Sequence, residues 1–144
     1  MLSIPLANNQ TRHPVAEKTL VQAVRNVLES RGIVQGEISL AVVDNAVMHE
    51  LNRRYLQHDY PTDVLSFVLE QSPNALEGEI IVSADYAAQE APKYGWTIRE
   101  ELVLYVIHGA LHLVGYDDST PQAKAEMQGQ ETLHLGQLGI VRGV

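Results

Sequence analysis

Hydrophobic residues recur along this chain in two regular rhythms, and one segment keeps no rhythm at all. Over residues 14–31, Val15, Leu20, Val24, Val27 and Leu28 fall on one side of a helical projection, with Lys18, Gln22, Arg25 and Glu29 on the other. That spacing predicts an amphipathic helix, with Pro14 in its first turn and Gly32 past its end. Over 37–43 the rhythm shortens to two, with Ile38, Leu40 and Val42 alternating as in a strand. Asp44 or Asn45 then caps a helix over 46–56, with Val47, Leu51 and Tyr55 or Met48 expected in the core. Residues 2–6 form a short strand that Pro5 confines to a sheet edge. Segments 64–69 and 79–83 are strands expected to pair antiparallel across a polar connection, 70–76. A helix over 84–93 is expected to end near Gly95, and Thr97 with Glu100 spells a capping box for the next one. Thr120 and Pro121 open a last helix running to about His134. Strands mixed with helices in one short chain predict an α+β fold: a mixed sheet covered by helices in a single domain, 1–144.

The arrhythmic segment is 102–114, where Leu102, Val103, Leu104, Tyr105, Val106, Ile107, Ala110, Leu111, Leu113 and Val114 leave no wide polar face. A helix apolar all round is a buried one. It nevertheless carries His108 and His112, four residues apart and so about 6 Å apart along the axis on one stripe. Gly115 suits the left-handed position that ends a helix, and the turn can return Asp117 or Asp118 over the two rings. Two histidines, one carboxylate and an open fourth position are the ligand set of a catalytic rather than a structural zinc site. Gly109 is out of place in mid-helix, and a close approach of substrate or metal-bound water to the backbone would explain it.

Composition narrows the chemistry. The 144 residues include no cysteine, so disulfides and thiolate ligands are excluded and a metal must be held by histidine and carboxylate. The first ten residues carry neither a basic stretch nor a long apolar core, so no secretory signal is read there. The 102–114 run is too short to span a bilayer. A cytoplasmic protein without membrane contact is the expectation. The formal net charge of −8 argues against a broad basic nucleic-acid surface, leaving Arg53 and Arg54 as the densest basic candidate, or simply a solvated helix face.

The stretch HGALHLVGYDD, 108–118, resembles the signature HGxLHLxGYDH of the YbeY family of bacterial metal-dependent endoribonucleases and ribosomal RNA maturation factors. LNRRYLQHDYPTDVLSF, 51–67, is similar to the family's LNxxYRxxDxPTDVLSF, and GEIIVS, 78–83, to GDIxIS. Gln89 falls where the family has a glutamine. The likeness implies a zinc ion, one per chain, held by His108, His112 and Asp118. It also implies RNA cleavage that matures the 3′ end of small-subunit ribosomal RNA, with that RNA and the small ribosomal subunit as partners and a role in ribosome quality control. Two positions depart from the pattern. Asp118 replaces the family's third histidine, and a carboxylate ligand makes a weaker Lewis acid with a looser preference for zinc over other divalent metals. Leu56 replaces an arginine assigned to RNA binding or catalysis.

With Gly109 in the place of a metalloprotease's general-base glutamate, the signature itself supplies no base. Asp59, Asp63 and Asp117 are the candidates, each also suited to a turn or to holding a ligand from behind. His108, His112, Asp63 and Asp117 thus make the expected catalytic set. Glu101 can orient a ligand or be a solvated first-turn acid. His58 can approach the metal; His13, His49 and His134 read as surface or boundary residues. The missing glutamate disfavours a zinc peptidase, and the helix-plus-turn spacing is not that of a two-histidine iron oxygenase. The rival from another class is a ribosome-assembly or RNA-binding protein with a structural metal and little nuclease activity.

Overall fold

The computed structural model describes residues 1–141. Two short strands, β1 (Leu2–Ser3) and β2 (Leu6–Asn8), flank Pro5 and pair in parallel with β3 (Gln35–Val43). β3 in turn pairs in parallel with β5 (Ala75–Ser83), and β4 (Val64–Ser72) lies antiparallel to β5 at the far edge. The order β1-β3-β5-β4, with β2 also on β3, makes a mixed sheet. Pro5 sits at the margin where its missing N–H breaks no central ladder.

The helices are α1 (Glu17–Ser30), α2 (Asn45–Leu56), α3 (Ala84–Glu90), α4 (Ile98–Leu113) and α5 (Pro121–Gln137). Alternation along the strands sends Ile38, Leu40, Val42, Ile80 and Val82 to one face, where they join Leu20, Val24, Val27 and Leu28 of α1 and nearly all of α4 in the main core. Val43 and Leu65 meet Met48 of α2 in a smaller cluster on the other face. Burying side chains of this size contributes roughly 1.5–3 kcal/mol each. No helix of the described residues is long and apolar enough to cross a membrane.

Several expectations are refined. The antiparallel strands run to Ser72 and restart at Ala75, so only Pro73 and Asn74 turn between them, and most of the presumed connection is strand. The helix beginning at Ala84 gives way to a 3₁₀ turn, Ala91–Tyr94, where Pro92 breaks the α-helical ladder, and ends on Gly95. α2 is capped by Asp44, whose side chain accepts from Val47 N–H at 2.9 Å. Its buried residues are Met48 and Asn52, while Val47 and Tyr55 are exposed. Asn52 is drawn inward because its amide donates to the Tyr60 carbonyl at 2.9 Å, tying the helix to the loop that leads into β4. His134 is buried rather than superficial, with Nδ1 3.0 Å from Gln137 Oε1.

Candidate metal centre

α4 is started by the capping box read from sequence. Thr97 Oγ1 accepts from Glu100 N–H at 3.2 Å, and Glu100 Oε1 accepts from Thr97 N–H at 2.9 Å. The helix ends in a Schellman turn. Tyr116 N–H reaches Leu111 O at 3.0 Å and Gly115 N–H reaches His112 O at 3.1 Å, with Gly115 at φ +103°. This turn fixes where Asp117 and Asp118 fall. Gly109 is explained differently from the sequence expectation: a Cβ there would lie 2.9 Å from Ile80 Cγ2 and 3.2 Å from Val64 Cγ2. The missing side chain lets α4 press against β5 and β4, and no ligand is needed to account for it.

His108 and His112 turn their Nε2 atoms toward each other, 3.1 Å apart, with ring centroids separated by 4.7 Å. One ligand atom from each, with one carboxylate oxygen of Asp118, forms a group whose members all lie within 4.8 Å of one another. Behind His108, Nδ1 lies 2.6 Å from Glu131 Oε2 on α5. A carboxylate there keeps the proton on Nδ1 and turns the Nε2 lone pair forward, the arrangement by which metal-binding histidines are oriented. Two imidazole nitrogens aimed at one point repel unless a proton or a cation lies between them. Two borderline nitrogens and one hard oxygen suit a divalent metal, so the residues fit such an ion.

The electrostatics set the two rings apart. Burial works against a charged His108, but the hydrogen bond and charge of Glu131 outweigh it and hold the pKa above the ordinary histidine value. Burial and the neighbouring His108 push the pKa of His112 down, favouring the neutral, ligating form. Asp63, Leu104, Tyr105, Lys124, Met127 and Gln128 complete the cleft around His108, Asp118 and Glu131. Burial raises the Tyr105 phenol pKa, which keeps it protonated.

The expected catalytic residues divide. Asp63 lines the cleft, with Oδ1 accepting from Val64 N–H at 2.8 Å and from the Thr62 hydroxyl at 3.2 Å. Asp117 instead accepts from Ser119 N–H at 3.1 Å and from its hydroxyl at 2.8 Å, a turn role that lowers its pKa and leaves it outside the three-ligand group. Glu101 is buried rather than solvated, and the orienting of His108 falls to Glu131. His58 is exposed and stacks on Tyr60, while His49 pairs with Asp59. Arg53 and Arg54 both face Glu50 on the exposed side of α2 and do not line the cleft.

Sequence reasoning missed Glu131. Met127, Glu131 and His134 form an i, i+4, i+7 stripe on α5, and an acid on such a buried stripe was the available signal.

A mixed sheet with a buried helix presenting paired imidazoles to a carboxylate is an arrangement compatible with a divalent metal. The sequence model for endoribonuclease YbeY matches residues 5–139, and the chain belongs to that family. A protein from Moorella thermoacetica named endoribonuclease YbeY is 36% identical over 94% of this chain and 96% of its own length. One from Desulfitobacterium hafniense with the same name is 38% identical, covering 97% and 94%. A third, from Rhodopirellula baltica, is 41% identical over 87% of this chain, which spans 66% of that relative. A Thermotoga maritima protein solved in solution shares the fold, with a TM-score of 0.63 at 24% identity over 94% of this chain and 91% of that one.

Proposed function

We propose that this protein is a zinc-dependent, single-strand-specific endoribonuclease that matures the 3′ end of small-subunit ribosomal RNA in the cytoplasm and takes part in ribosome quality control. Membership of an endoribonuclease family supports the reaction class. The observation that carries the assignment to this cleft is the convergence of His108, His112 and Asp118, with Glu131 behind His108. These three residues would hold the ion. When bound, it supplies Lewis acidity toward a phosphoryl oxygen and neutralises charge that grows there.

The chain's own side chains do the rest. Glu131 keeps the His108 proton on Nδ1, so the ring is positioned before substrate arrives. Asp63, anchored by Val64 and Thr62, stands at the cleft wall where a carboxylate oxygen can take the proton of the ribose 2′-hydroxyl as its oxygen bonds to phosphorus, while the P–O bond to the 5′ oxygen of the next nucleotide breaks and that oxygen leaves with a proton from solvent. Tyr105 and Leu104 narrow the cleft from α4 and limit access of bulk water.

The second reading, an assembly or RNA-binding factor with a structural metal, is favoured by the net charge of −8 and by the exposed Leu56 in place of an arginine. Incubating a labelled single-stranded oligoribonucleotide with zinc-loaded protein separates the two. Cleavage by the wild type that drops at least 100-fold in His112→Ala is expected. Equal cleavage by both proteins, or none by either, would overturn the enzymatic assignment.

A further inference from the structure

We propose that Lys124 grips the RNA backbone at the mouth of the cleft, binding a phosphate that flanks the one at His108, His112 and Asp118. The inference rests on the endoribonuclease reading and adds to it how an acidic protein retains a polyanion. Lys124, Met127, Gln128 and Glu131 follow i, i+3, i+4, i+7 spacing, so one stripe of α5 forms a wall of the cleft. The other charges on that wall and opposite it are carboxylates: Asp63, Asp118 and Glu131. One divalent ion at His108, His112 and Asp118 leaves these three carboxylates net negative, so a phosphodiester reaching along the wall is repelled unless a further cation offsets the field. Among the described residues lining the cleft, Lys124 is the one lysine or arginine.

Its ammonium is also available. Arg12 pairs with Asp85, Arg53 and Arg54 with Glu50, and Lys93 with Glu90, whereas Lys124 has no ion-pair partner among the described residues. The residue is exposed, so the charge stays hydrated until a ligand arrives. Lys124 lies seven residues before Glu131, about 10 Å along the helix axis. That offset places it beside a neighbouring phosphate rather than over the reacting one. A contact made equally in the ground state and the transition state affects binding without changing the chemical step.

The test uses the zinc-loaded protein and two oligoribonucleotide probes, one cleavable and one fully 2′-O-methylated for equilibrium binding by fluorescence anisotropy across a salt series. Lys124→Gln is expected to weaken binding and raise KM roughly two- to fivefold, the size of one exposed ion pair, with kcat unchanged. The slope of log affinity against log salt should fall by about 0.7, the loss of one contact to a single strand. Lys124→Arg should restore both. Lys18→Gln, the same charge change on the exposed side of α1, should alter neither. An unchanged salt slope in Lys124→Gln, or an equal fall in Lys18→Gln, would overturn the proposal while leaving the nuclease reading intact. Wild-type protein that neither binds nor cuts the probes would defeat the nuclease reading and this role together.

Discussion

His108 with Glu131 and His13 with Asp85 are the same chemical pair in two settings. The contacts are 2.6 Å and 3.0 Å. Burial does not distinguish them: the imidazoles are 28% and 18% exposed, the carboxylates 8% and 12%. What differs is everything beyond the shared bond. Asp85 is a saturated acceptor, taking Arg12 at 3.1 Å on Oδ1 and the Asn45 N–H at 3.0 Å on Oδ2, so it clasps the N-terminal segment to the start of α2. Glu131 instead orients one ring whose far nitrogen faces a second imidazole and the Asp118 carboxylate across a cleft. A buried histidine–carboxylate bond is therefore no mark of function by itself; the environment of the other ring nitrogen decides.

Removing each imidazole breaks the comparison most sharply. His108→Ala is expected to lower divalent-cation affinity by more than about 100-fold, beyond the range for losing an outer partner. His13→Ala should leave that affinity unchanged. Competition with a chromophoric chelator reads both, and equal affinities in the two variants would place the cation outside this cleft. Glu131→Gln sharpens the same contrast at a smaller scale. It keeps the shape but loses the charged acceptor, and a fall of roughly 10- to 100-fold is expected. Affinity within twofold of wild type would reduce the His108–Glu131 bond to packing.

The parts of this centre that depend on local spacing were legible. The paired imidazoles follow from four-residue spacing on an apolar helix, and the turn at Gly115 follows from one residue's freedom at positive φ. Choosing between Asp117 and Asp118 needed the turn itself, because the nearby Ser119 claims the first and releases the second. Glu131 was hidden by distance, since 23 residues separate it from His108 and no periodicity links two helices. Gly109 was visible as an anomaly, but its cause lies in side chains of two strands far away in the chain. The hairpin was misread because Glu70, Gln71 and Ser72 are exposed on an edge strand, where polar side chains are compatible with sheet pairing. In the same way α2 turned a different face inward because Asn52 found a carbonyl in a loop eight residues on.

Asp85 tests the structural half of the comparison through stability. Replacing it by alanine leaves the Asn45 N–H without its acceptor and releases Arg12 and His13, costing about 1–2 kcal/mol. For a chain of this length that is roughly 2–8 °C in Tm. Its hydrogen bond from the Asn45 backbone, opposed by burial and reinforced by His13 and Arg12, holds its pKa below the ordinary aspartate value. A depressed pKa in the folded state stabilises above the unfolded value of about 3.9 and is lost as pH falls through the folded one. The Tm gap between wild type and Asp85→Ala should therefore be widest above pH about 5 and narrow progressively as pH falls below about 4 and through the lower folded pKa. A gap that stays constant over that range would show that the carboxylate's charge contributes nothing to the clasp.

The smallest effect is expected at a third pair, His49 with Asp59, whose 2.8 Å separation lies between the other two. Here the imidazole is 42% exposed and the carboxylate 83%, so water competes for both groups and salt screens them. His49→Ala should shift stability by less than about 0.5 kcal/mol and leave cation affinity as it was. Distance alone would rank this contact above the Asp85 clasp. A loss larger than that of Asp85→Ala would mean that bond length, rather than the number and burial of the groups sharing the carboxylate, orders the three pairs.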